Sequence, residues 1–281
     1  MALTQFKIEK RGRARLWMTR LYADPAFADL LADLDRLFER PTCRVIKDQR
    51  KIKVGRVTVK LSGEERALYV KRYNPFSFRY RIFSLIGRSG ALRSLRGACV
   101  LAEASIPTAA PLAAVEERLF GMLSKSFFVS EEIAGGQTAD SYWIEQLRDR
   151  RGAQGFRFRR AFLDGLASLF RSLHARAIYH NDLKDANIMA VSRDNDGSVK
   201  FFLLDLEGVQ RCRRLTHRRR VKNIVQIYRT LGTHLSRSEQ LFFLKCYLST
   251  SFGSGRLKRD LIRDILKRAS RVDAVKESYV R

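Results

Sequence analysis

The chain has 281 residues, enough to bury a sizeable core as one large or two smaller domains. Its 45% hydrophobic content excludes a disordered polyelectrolyte, and no run of about 18 apolar residues offers a membrane-spanning helix. With 55 Lys and Arg against 29 Asp and Glu, the net charge of +26 selects polyanions as partners: nucleic acid, anionic lipid headgroups or phosphorylated acidic sugars.

Residues 1–20 are basic but lack the apolar run and small-residue cleavage site of a signal peptide, so a cytoplasmic protein is expected. Cys43, Cys99, Cys212 and Cys246 are widely spaced and are expected to be four reduced thiols. Residues 21–39 carry Phe27, Leu30, Leu31, Leu34, Leu37 and Phe38 at helical spacing, which predicts a helical extension over 1–42 ending before Pro41. From about 43 the pattern alternates. Val54, Val57, Val59 and Leu61 lead into the turn Ser62-Gly63-Glu64-Glu65, and Ala67 to Tyr73 form the second strand of a hairpin.

Residues 89–104 predict a helix that the Ile106-Pro107 step stops. Val115–Leu123 and Lys125–Ile133 predict two further strands, and Gly135-Gly136 a hinge. Beyond it the chain turns helical: 156–177 places Phe158, Phe162, Leu163, Leu166, Leu169, Phe170 and Leu173 on one face. Two short strands flank the turn 193–198, and helices over 216–232, 237–249 and about 256–270 complete the chain. This order predicts an α+β, bilobal protein, with a small β-rich N-lobe over 43–134 and a mainly helical C-lobe over 135–281.

The densest chemistry lies in His180-Asn181-Asp182-Leu183-Lys184-Asp185-Ala186-Asn187. Phosphoryl transfer needs a base near the acceptor hydroxyl, a cation near the moving phosphate and a metal ligand. Asp182 is the candidate base, Lys184 the cation and Asn187 a carbonyl ligand for Mg²⁺, while His180 is expected to hold the loop. This H-x-D-L-K-x-x-N stretch resembles the catalytic loop of the protein-kinase-like fold. Asp205, leaving the apolar strand 199–204 ahead of Gly208, resembles the D-F-G metal-binding element, so Asn187 and Asp205 would share the metal. Lys71, within Leu68-Tyr69-Val70-Lys71, is similar to the strand lysine that holds the α- and β-phosphates of ATP. Glu131 and Ile133 fall where the adenine-binding connector belongs and would contact the base through backbone groups. No G-x-G-x-x-G precedes Lys71, so Lys53 and Lys60 are the candidate replacements for a glycine loop; on helix 89–104 Glu103 is the only acid.

With Val70-Lys71-Arg72-Tyr73, the Arg-Ser-Leu at 93–95, Ile106-Pro107-Thr108, Pro111-Leu112-Ala113 and the Asp-Leu-Glu-Gly element together, the chain resembles the lipopolysaccharide-core kinases, relatives of the Kdo and heptose kinases, over roughly 43–245. The resemblance implies a protein-kinase-like fold, ATP and Mg²⁺ as cofactors, a sugar hydroxyl of the inner core as acceptor, and work at the cytoplasmic face of the inner membrane. The segment between Gly208 and a helix capped by Thr216 is short and lacks A-P-E, which suits a glycolipid or phosphorylated acidic saccharide better than a peptide. The basic run Arg211, Arg213, Arg214, His217, Arg218, Arg219, Arg220 and Lys222 would cradle acceptor phosphates, meet an anionic membrane surface, or form a solvated helix face. A second patch, Arg79, Arg81, Arg88, Arg93 and Arg96, is flanked by Phe76, Phe78 and Phe83. The alternatives are a protein Ser/Thr kinase and a catalytically inert kinase-like module that binds polyanions. Nucleic acid is not expected, because no groove-reading motif is recognisable.

Overall fold

The protein is described by a computed structural model covering residues 4–75, 77–192 and 197–278. Phe76 and the turn residues 193–196 lie outside the described residues. The chain divides into two units: Met1–Ile133 with Leu206–Val209, and Ala134–Asp205 with Gln210–Arg281.

The first unit is built on a seven-stranded antiparallel sheet. Strands β1 (Phe6–Arg11) and β2 (Ala14–Thr19) precede helix α1 (Pro25–Ala32) and a 3₁₀ segment over Leu34–Glu39. Then come β3 (Cys43–Asp48), β4 (Ile52–Leu61), β5 (Glu64–Tyr73), the short helix α2 (Phe78–Phe83), α3 (Gly90–Glu103), β6 (Pro111–Leu119) and β7 (Met122–Glu131). Spatially the order is β1-β2-β6-β7-β5-β4-β3. The helical extension expected over 1–42 is therefore corrected. Residues 6–19 are a hairpin turning at Gly12, whose φ is +55°, and they lengthen the sheet beside β6. The cause is a period-two pattern in which Ala14, Leu16 and Met18 point into the core.

Helical turns among the described residues of 1–42 are the 3₁₀ turn Arg20–Tyr22, α1 and the 3₁₀ segment Leu34–Glu39; α1 is started by Asp24, whose carboxylate accepts the Phe27 amide at 2.7 Å, with Pro25 in the first turn. Phe27, Leu31, Leu34 and Leu37 pack with Leu16, Val57, Val59, Leu68, Val70, Val115, Phe127 and Val129 into one core. Helix α3 packs against β5, β6 and β7, where the Tyr73 hydroxyl meets Ser94 Oγ at 2.7 Å. The β6–β7 turn falls at Phe120-Gly121, within the stretch 118–121 where the sequence suggests a turn, and Gly121 accepts the positive φ (+78°) that it demands.

In the second unit, β8 (Gln137–Thr138) and the short helix α4 (Ala139–Tyr142) lead to a π-helical turn over Trp143–Leu147 and the long helix α5 (Gly152–Ala175). Strand β9 (Ile178–His180) precedes the antiparallel pair β10 (Ile188–Ser192) and β11 (Val199–Leu203). After β12 (Val209–Arg211) the chain forms α6 (His217–Tyr228), α7 (Arg237–Leu248) and α8 (Gly255–Ser278), the last running further than the expected 256–270. Phe162 of α5 is fully buried, stacked on Tyr142 at 5.7 Å and edge-on to Phe201 at 5.0 Å. Helix α5 thereby supports the β10–β11 hairpin that positions the site.

Candidate active site

Strand β9, buried at every position, delivers the chain to His180. The His180 ring is hidden from solvent; its Nδ1 accepts the Asp182 amide at 3.1 Å, so its Nε2–H donates to the Leu204 carbonyl at 3.0 Å. Burial pushes the imidazole below its ordinary pKa and keeps it neutral. His180 thus ties the loop to the end of β11 and has no proton to offer chemistry, which is the holding role expected of it.

Past it, the Asn187 amide nitrogen donates to both the Asp182 carbonyl (2.8 Å) and Asp182 Oδ2 (3.1 Å). Lys184 Nζ meets the same Oδ2 at 2.9 Å. One carboxylate oxygen is therefore held by two donors. Among the described residues Oδ1 of Asp182 makes no hydrogen bond and is left to accept a proton. With its NH₂ group occupied, Asn187 presents only its carbonyl oxygen to a cation, the donor type that hard metals take.

Asp205 joins this group because the Leu204 amide donates to the Asn187 carbonyl at 2.9 Å, bringing the end of β11 beside the loop. Asp205 has φ +52°, a left-handed conformation uncommon outside glycine and held where function demands it. Asp182, Lys184, Asn187 and Asp205 are thus brought together within the second unit, and the carbonyl-plus-carboxylate pair fits Mg²⁺. Asp185 turns inward instead: its carboxylate accepts the Ala186 amide at 2.7 Å, and burial raises its pKa.

Helix α6 holds the loop from the other side. Asn223, fully buried, donates to the His180 carbonyl (2.5 Å) and to Gln226 Oε1 (3.0 Å). Gln226 accepts the Leu183 amide at 3.1 Å and donates to the Asn181 carbonyl at 2.8 Å. Behind them His174 donates from Nε2 to Asn223 Oδ1 (3.3 Å) and takes the Tyr247 hydroxyl on Nδ1 (2.8 Å). Burial lowers the His174 pKa to about 4. In the sequence Asn223 and Gln226 are two polar residues on an amphipathic helix; their three-residue spacing, one face of one turn, is the only signal they leave.

A model of the lipopolysaccharide kinase (Kdo/WaaP) family matches residues 38–247. The chain belongs to that family. Among curated proteins no match was found. A solved structure described as WaaP in complex with acyl carrier protein superimposes with a TM-score of 0.65 at 20% identity, covering 90% of this chain and 95% of that one. At that identity the likeness shows the fold, which is the α+β, protein-kinase-like fold expected.

In this lipopolysaccharide kinase the remaining site residues lie in the first unit. Lys71 is central in β5, between Val54 of β4 and Phe128 of β7, with its ammonium 5.1 Å from the Tyr73 ring. Glu131 ends β7; its amide donates to the Ala110 carbonyl and that of Glu132 to Ala67, so neither N–H is open to a base. The Glu131 side chain faces Tyr22 and Arg66, and Ile133, half-buried, closes the unit. No glycine loop joins β3 to β4. The tip is Arg50-Lys51, closed by paired backbone bonds between Gln49 and Ile52.

The basic run divides in two. Arg219 and Lys222 both lie over the Tyr179 ring, at 5.0 and 5.4 Å, Arg219 also donates to Cys212 Sγ at 2.6 Å, and His217 meets Asp264 at 2.8 Å. Arg213, Arg214 and Arg218 are exposed. Lys222 donates to Asn181 Oδ1 at 2.9 Å, next to the candidate base, a position that the charge pattern alone did not reveal.

Proposed function

We propose that this family member transfers the γ-phosphate of ATP to a sugar hydroxyl of the lipopolysaccharide inner core or a related glycolipid. The observation that carries the reading is the Asp182 carboxylate, fixed through Oδ2 by Asn187 and Lys184 while no donor among the described residues meets Oδ1. Asp182 Oδ1 would take the acceptor hydroxyl's proton as that hydroxyl's oxygen attacks the γ-phosphorus and the bond from phosphorus to the bridging oxygen breaks, ADP leaving with that bond's electron pair. Lys184, already beside that carboxylate, would offset charge growing on the transferring phosphoryl oxygens. Asn187 and Asp205 would hold magnesium, which supplies charge neutralisation between the nucleotide phosphates. Lys71 would bind the α- and β-phosphates, and Glu131 through its carbonyl, with Ile133, the adenine. Lys222 and Arg218 would meet acidic groups of the acceptor. No helix among the described residues is long and apolar enough to cross a membrane; reaching a lipid-anchored acceptor at the cytoplasmic face of the inner membrane would rely on peripheral attachment.

The test is incubation with labelled ATP, Mg²⁺ and inner-core lipopolysaccharide, with peptide substrates in parallel. Label should enter the saccharide, and Asp182→Asn should lower the rate by about 10²- to 10⁴-fold with ATP affinity retained. Transfer to peptides and to no saccharide would refute the acceptor assignment; ATP binding without turnover would favour an inert module.

A further inference from the structure

A surface of the first unit carries large apolar side chains that none of the described residues covers. Past α2 the backbone turns tightly through residues 82–87, with Leu85 N–H donating to Ile82, Ser84 N–H to Arg81 and Gly87 N–H to Phe83. Phe83 is 68% exposed, Leu85 53% and Ile86 92%. The β6–β7 turn lies against this segment and adds Phe120 at 88% exposure. Arg118 clamps the two, donating to the Ser84 carbonyl (2.7 Å) and the Gly121 carbonyl (2.9 Å), and Ser84 Oγ accepts the Leu123 amide at 2.8 Å. A Cβ placed on Gly121 would touch Leu85 at 3.3 Å, so the two tips are in direct proximity. The apolar side chains project from turns tied down by hydrogen bonds.

Their electrostatic setting selects the occupant. Residues 66–102 contain eight Lys and Arg and no Asp or Glu, and Arg79, Arg81 and Arg88 are all exposed beside the apolar tips. Protruding aromatic and aliphatic tips ringed by arginine match an anionic bilayer interface, where the tips enter the acyl boundary and guanidinium groups stay among phosphates.

We propose that Phe83, Leu85, Ile86 and Phe120, with Arg79, Arg81 and Arg88, form the surface by which this kinase seats on an anionic membrane. The assignment rests on the membrane-borne acceptor proposed above and specifies which face meets the lipid.

The experiment is co-sedimentation of the full chain with vesicles of phosphatidylglycerol and phosphatidylethanolamine, against phosphatidylcholine alone. The wild type should bind the anionic vesicles. Phe83→Ser/Ile86→Ser, changing only exposed positions, should lower partitioning about ten- to hundredfold with its melting temperature unchanged. Ile86→Trp supplies a second readout. Trp17 and Trp143, the chain's two tryptophans, are buried, so a lipid-dependent blue shift would come from position 86. Undiminished binding of the double variant, together with no shift at position 86, would overturn the proposal. A dimer that the double variant dissolves, with vesicle binding unchanged, would equally overturn it in favour of contact between copies. Phosphorylation of a soluble, delipidated inner-core saccharide is measured alongside. If vesicles bind through this face but no saccharide accepts phosphate, the proposed reaction fails and the surface stands.

Discussion

Asn223→Leu removes the polar group that joins α6 to the 180–187 loop while keeping the same number and branching of side-chain heavy atoms, so no cavity is left. Three hydrogen bonds disappear: Asn223 to the His180 carbonyl, Asn223 to Gln226 Oε1, and His174 Nε2 to Asn223 Oδ1. Gln226 Oε1 keeps the Leu183 amide, but the His180 carbonyl loses this donor and the His174 Nε2–H its acceptor. Each buried group left unpaired costs about 1–3 kcal/mol, so the expected loss is about 4 kcal/mol, a large part of a typical domain's stability. Urea unfolding at neutral pH measures it as a lower midpoint at unchanged slope. Turnover should fall as well, because His180 and the adjoining Asn181 position Asp182. A loss below about 1 kcal/mol with normal turnover would show that α6 does not hold the loop through Asn223.

His174 makes stability depend on pH. Its folded pKa of about 4 lies below the ordinary 6.5, so the unfolded chain takes the proton more readily. Stability is intact above about pH 6.5 and is lost as pH falls toward 4; between pH 7.5 and 5 this ring accounts for about 2 kcal/mol, which His174→Gln should flatten in urea midpoints measured across that range. A side chain at Gly97 of α3 would be built onto the Leu206 carbonyl, so Gly97→Ala should destabilise by about 1–3 kcal/mol in the same assay. On the acceptor role proposed for it, Lys222→Ala should raise the acceptor KM roughly five- to tenfold and leave the ATP KM unchanged, since the ammonium stands beside Asn181, the residue before Asp182.

Much of the site is legible because its chemistry is local. The offsets from His180 to Asn187 place a carboxylate, an ammonium and an amide carbonyl within one loop, and the hairpin pattern after it predicts that Asp205 returns beside Asn187. The Thr216 cap is equally local: its hydroxyl accepts the Arg219 amide at 3.4 Å. The first hairpin, by contrast, escaped a reading that took 1–42 as helical. The basic, mostly exposed strand β1 alternates weakly, and only its pairing with β2, which itself pairs with β6, decides that it is a strand.

What the sequence by itself determined is the order of elements beyond residue 43, the four-residue chemical group of the second unit and the strong positive charge, all set by near neighbours or by composition. Tertiary structure alone decided that Asn223 and Gln226, some 40 residues beyond His180, are the loop's fixings. It also decided that half of a basic run is structural and that Phe83, Ile86 and Phe120 are left uncovered by the rest of the first unit's described residues. Burial and long-range hydrogen bonding depend on which surfaces meet, and no local pattern of charge or hydropathy encodes that meeting.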